Sequence, residues 1–205
     1  MIELDDNLPA ELVPLSWLIG VWEGTGIVNY DVAGDVRTYE FGQRLSFSHD
    51  GLPHVNYTSY TWLIDPAASE ADATISALAT ETGYWRLGRP AMDSDPGPGL
   101  LPGSGPTPFT TASAVETLRN ADNAFDIEVS IVHPGGVSEL YVGQVKGPRI
   151  DLVTDAVLRS SNSKEHAAST RLYGLVDNHL LWAWDIAALG QDLRTHASGR
   201  LARVD

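Results

Sequence analysis

Phe125-Asp126-Ile127-Glu128-Val129-Ser130-Ile131 alternates apolar and polar side chains without a break. A period of two places Phe125, Ile127, Val129 and Ile131 on one face of an extended chain and the polar residues on the other, the mark of a half-buried strand. A helix would scatter the same residues around its axis. Upstream, residues 39–47 alternate with Tyr39 and Phe41 on one face, and residues 54–65 (HVNYTSYTWLID) are dense in the Tyr, Thr and Trp that favour sheets. Residues 75–87 read as a strand pair or one long bent strand. Downstream, residues 140–146, 149–154, 156–159, 170–176 and 180–186 follow as short strands. Tight turns separate them, at Pro134-Gly135-Gly136 and Asp177-Asn178 as at Asp50-Gly51 upstream. No long helical period interrupts them. About eight to ten short strands with tight turns predict an all-β fold, a single antiparallel up-and-down barrel around a small apolar interior.

The 205 residues suit one such domain, and 43% hydrophobic content is ordinary for a globular chain. The formal net charge of −14 opposes binding to nucleic acid or to an anionic membrane. No apolar run reaches the roughly 18 residues of a membrane helix. The acidic start MIELDDNLPAEL does not resemble a secretory signal, so a cytoplasmic protein is expected. Without cysteine there is no disulfide, thiolate metal site or thiol catalysis, and histidine and carboxylates remain as the strong metal ligands.

Residues 1–14 read as a lead-in with a helical turn near residues 10–13. Gly20, Gly24 and Gly26 frame Trp22, but Ile27-Val28-Asn29-Tyr30 follows instead of a helix. The glycines therefore indicate a strand that passes close to another backbone, not a phosphate loop, and Trp22 is an inward plug. Residues 88–111 are rich in Gly, Pro and Ser and are expected to form a flexible loop within a single domain spanning residues 1–205.

Of six histidines, His49, His133 and His179 lie at expected turns and are read as solvated, and His166 lies in a polar loop. His54 opens an aromatic strand and is a candidate pocket residue. His196 stands just before the last strand, and a lone histidine there is more often structural than ligating. Glu23, Glu40 and Glu81 lie on strand-like segments and could face inward as a pair, but are read first as surface groups or as partners for Arg86.

Several blocks, in order along most of the chain, resemble the nitrobindins. These are haem-binding β-barrels, calycin- or lipocalin-like, with short helical turns. Gly20-Val21-Trp22-Glu23-Gly24-Thr25-Gly26 is similar to their G-x-W-x-G-x-G signature, and Glu81-Thr82-Gly83-Tyr84-Trp85-Arg86 to their E-T-G-[FY]-W-R. Gly51-Leu52-Pro53-His54-Val55-Asn56-Tyr57, Arg171-Leu172-Tyr173, Trp184-Asp185-Ile186-Ala187-Ala188-Leu189-Gly190-Gln191 and residues 193–201 continue the likeness. The resemblance implies a ten-stranded barrel with one haem b near one mouth. It also implies His196 as axial iron ligand and catalytic centre, and Lys164 as a second haem contact. The implied activities are nitric oxide binding and isomerisation of peroxynitrite to nitrate on ferric haem. A homodimer is compatible with it. Four departures stand out: Tyr30-Asp31-Val32-Ala33-Gly34-Asp35 replaces a conventional Y-P-T-I, His54 replaces phenylalanine, Thr195 replaces proline before the ligand, and the loop from Gly88 is longer. Two alternatives remain open: a non-enzymatic carrier of an apolar molecule such as a fatty acid, and a member whose haem site the long loop occludes.

Strict alternation places His196 with Ser198 and Arg200, opposite Leu201. An inward His196 therefore requires either that it precede the regular strand, the expectation adopted here, or that a bulge reset the phase.

Overall fold

The computed structural model describes residues 7–32, 35–64, 76–188, 190 and 192–204. Residues 65–75 between the two expected strand segments, and Leu189 and Gln191 of the closing block, lie outside the described residues.

Ten strands form the sheet: β1 (Gly20–Val32), β2 (Asp35–Ser48), β3 (Val55–Leu63), β4 (Ser76–Leu87), β5 (Phe125–His133), β6 (Val137–Val145), β7 (Arg149–Arg159), β8 (His166–Val176), β9 (His179–Ala188) and β10 (Arg194–Val204). Each pairs antiparallel with the next, and β10 returns to β1, so the barrel closes. The all-β, up-and-down expectation is borne out. One expectation in detail is corrected: residues 149–154 and 156–159 form the single strand β7, whose ladder shifts opposite Leu140 and Tyr141. Of the two readings of residues 75–87, the long strand with an irregularity is the one found, as β4, whose register with β3 shifts near Ala77 and Ala79.

Alternation works here as physics requires. In β5, Phe125, Ile127, Val129 and Ile131 are buried while Asp126, Ser130 and Val132 are exposed. Trp22 is buried, its indole N–H donating to the Leu18 carbonyl at 2.7 Å. A Cβ on Gly24 would stand 2.3 Å from the Arg200 carbonyl oxygen, so only glycine allows β1 this close to β10.

The lead-in forms a 3-10 helix, Ala10–Leu18, longer than the expected turn. Leu12, Leu15 and Leu18 are fully buried. Their spacing of three matches three residues per turn, so one apolar stripe faces inward. The helix packs against β4 and against α1 (Ala112–Glu116), closing one end of the barrel.

In an up-and-down barrel, connections after even-numbered strands gather at one end and those after odd-numbered strands at the other. Residues 88–111 follow β4 and so sit at the end closed by the 3-10 helix. Arg89, itself buried, bridges Glu11 of that helix at 2.7 Å and Asp95 at 2.8 Å. His196 opens β10 at the opposite end. The expectation that this loop caps or occludes a site at His196 is therefore corrected: the loop is tied to the far end.

Candidate functional site

A cavity of about 240 Å³ lies inside the barrel toward the end where β10 begins. Val28, Phe41, Leu78, Ala79 and Ala197 supply apolar wall, and Trp182, Trp184 and His196 face the same space. Leu78 is 40% exposed while lining it, so the cavity reaches solvent there.

His196 enters this space through a bulge. Thr195 pairs with Asp185 and Ala197 with Trp184, so His196 is the extra residue in β10. Consecutive His196 and Ala197 are both buried, in keeping with the break in the pleat. The expectation that His196 precedes the regular strand is thus corrected: it lies within β10, and the bulge resets the phase. Burial pushes its imidazole down to about 4, only partly opposed by a hydrogen bond to the Asn29 backbone. The ring is neutral at physiological pH, the form in which histidine binds metals.

A polar floor lies beside it. The Arg171 guanidinium makes two hydrogen bonds to Glu81, at 2.7 and 2.9 Å, one to the Tyr141 hydroxyl at 3.0 Å and one to the Tyr173 hydroxyl at 3.3 Å. The Tyr57 hydroxyl also donates to Glu81. Burial opposes ionisation of Glu81, but Arg171 outweighs it and holds the carboxyl below its usual range. Glu139, fully shielded, accepts from His133 at 2.8 Å and His166 at 2.9 Å, and from Ser169. Burial again works against its charge, and these donors with Arg171 hold the carboxyl far below the ordinary range. On the opposite wall, Gln43 accepts from the Trp182 indole at 2.8 Å and donates to Ser59 at 2.9 Å.

Sequence reasoning missed most of this floor. Glu81 points inward to Arg171, whereas Arg86 pairs outside with Glu128. His133 is not a solvated turn residue and His166 opens β8 instead of lying in a loop: the first lines the cavity, and both hold Glu139. Their positions at the end of β5 and the start of β8 were the available signal, since both ends belong to the mouth that holds His196. His54, the candidate pocket residue, is placed away from His196. It follows β2 at the closed end, packs edge-on against exposed Tyr84 with centroids 5.2 Å apart, and does not line the cavity. Lys164 is exposed in the connection after β7, at the mouth that holds His196. Gly20, Trp22, Gly24 and Gly26 build the barrel wall.

The family described as the THAP4-like, heme-binding beta-barrel domain matches residues 11–203. The chain belongs to that family. The nitrobindin resemblance, a haem-binding barrel read from separate blocks, is borne out, and haem is the cofactor of this THAP4-like barrel. Among relatives, the peroxynitrite isomerase of Clavibacter michiganensis subsp. michiganensis is 66% identical over 205 residues, covering 100% of both chains. That of Leifsonia xyli subsp. xyli is 62% identical, again over 100% of both. The crystal structure of Rv2717c from M. tuberculosis shares the fold, with a TM-score of 0.66 and 24% identity over 99% of this chain and 100% of that one.

The residues of this THAP4-like barrel fit a haem. A neutral imidazole held on one side faces apolar and aromatic walls, which suit a macrocycle. Trp184 also keeps a buried indole N–H with no acceptor among the described residues.

Proposed function

We propose that this protein binds one haem b per chain through His196 and isomerises peroxynitrite to nitrate, with nitric oxide as a second ligand of the same site. The observation that carries the reading is His196 itself: neutral, buried and turned by a bulge into a cavity that reaches solvent. Support comes also from full-length relatives named peroxynitrite isomerase at 66% and 62% identity.

When bound, ferric haem supplies the redox chemistry of the isomerisation. The chain supplies the rest. His196 would hold the iron through its free ring nitrogen, and its hydrogen bond to the Asn29 backbone restrains the ring and selects the tautomer. Val28 and Phe41, both buried, keep water from the inner wall of the site. The cavity is smaller than the roughly 300–1,000 Å³ of most small-molecule pockets, which favours seating at the mouth, where Lys164 serves as a rim contact. A fatty-acid carrier would use a cavity cation for the carboxylate, but Arg171 is already committed to Glu81.

The proposal treats residues 1–205 as one functional unit in the cytoplasm, alone or as a homodimer. Small molecules are its ligands, and the charge of −14 disfavours nucleic acid and anionic membranes. Stopped-flow decay of peroxynitrite over the haem-loaded protein tests the activity. The expected result is faster decay than with free hemin, with nitrate as product; equal decay rates would sink it.

A further inference from the structure

The extra residue of a bulge is not restrained by the sheet ladder as its neighbours are. In the β9–β10 register Thr195 faces Asp185 and Ala197 faces Trp184, with the shift falling at His196, so side-chain contacts bear on how its ring is held. Trp184 supplies such a contact. Its indole meets the His196 imidazole at 85°, with centroids 5.4 Å apart. Trp184 is in turn held from β8. Its register partner is Arg171, whose guanidinium lies 4.5 Å over the indole ring. His133 stacks against the same indole at 6°, with centroids 6.0 Å apart. Arg171 cannot swing away without breaking its bonds to Glu81, Tyr141 and Tyr173.

We propose that Trp184 is the positioning residue for His196, and that the buried Glu81–Arg171 pair locks Trp184 in place. The inference rests on the haem reading and deepens it. The Asn29 backbone and the Trp184 indole then restrain the imidazole from two sides, so that iron would meet a ring already in orientation. It also gives the buried ion pair a role. A pair so costly to desolvate is weak evidence for stability, but it is a stiff platform for a cation over an aromatic face.

The test compares Trp184→Leu and Trp184→Phe with the parent, each loaded with hemin. Two quantities are read: the rate of haem transfer to excess apomyoglobin, and the iron–histidine stretching frequency of the reduced protein by resonance Raman. Outer partners of metal ligands are typically worth about 10–100-fold in affinity. Trp184→Leu is therefore expected to lose haem about tenfold faster or more and to shift or broaden the stretching band. Trp184→Phe, which keeps an aromatic face beside His196, is expected to restore most of both. A merely structural role would lower the melting temperature of the haem-free variants and leave the band of haem-loaded Trp184→Leu unchanged; that result overturns the proposal. Equal rates for parent and Trp184→Leu overturn it too. A parent that takes up no haem fails earlier and differently, because it removes the haem reading itself.

Discussion

The neutral imidazole of His196 has a measurable cost in the haem-free protein. Burial lowers its proton affinity from the ordinary 6.5 to about 4; the Asn29 hydrogen bond opposes this, and nearby His166 and Arg194 add to it. Between those two values the unfolded chain takes a proton that the folded chain refuses. Stability therefore falls as pH falls through this window and is recovered as pH rises. Linkage puts the loss at about 2 kcal/mol between pH 7 and pH 5 for a shift of this size. The carboxylates act elsewhere. Glu81 and Glu139 are held below their ordinary 4.5, so their stabilisation is present above that value and lost only as pH falls below it. The pH 7 to 5 interval thus isolates the histidine when parent and His196→Leu are compared. Urea unfolding of both haem-free proteins, followed by tryptophan fluorescence at pH 7 and pH 5, gives the difference. The parent is expected to lose about 2 kcal/mol more than the variant over the interval. Equal losses in the two proteins would show that His196 is not buried and neutral, and would refute the reasoning.

Other parts of the account are open to equally direct checks. Glu81→Gln removes one partner of the buried guanidinium at 2.7 Å and should cost about 3–5 kcal/mol in urea unfolding, with Glu139 at 3.6 Å as the remaining carboxylate. Gly24→Val drives a branched side chain into the β10 backbone, and a soluble variant with parental stability would contradict the close approach of β1 and β10. Replacing residues 97–103 with a shorter link should leave hemin affinity unchanged by titration, because that segment lies at the end tied down by Arg89.

The fold was legible because most strands obey a period of two. The alternation of β5 maps residue by residue onto buried and exposed faces. The same rule failed at His196, where one inserted residue inverts the phase and no local composition announces it. Glu81 and Arg171 were not legible as a pair: they are 90 residues apart, on β4 and β8, and meet only through barrel closure. His133 and Glu139 are six residues apart, but they join only because β5 and β6 fold back at Pro134-Gly135-Gly136. The placement of the Gly/Pro-rich segment was within reach. Counting strands puts every connection after an even strand opposite the start of β10. That parity places residues 88–111 and His54 at one end, and Lys164 with His196 at the other.

The central claim is that His196 is the iron ligand. The most direct measurement is the absorbance spectrum of the hemin-reconstituted parent beside His196→Ala. The account predicts a Soret band characteristic of histidine-ligated haem in the parent, and its loss or displacement in the variant. A parent without such a band, or a variant with the parental spectrum, would contradict it.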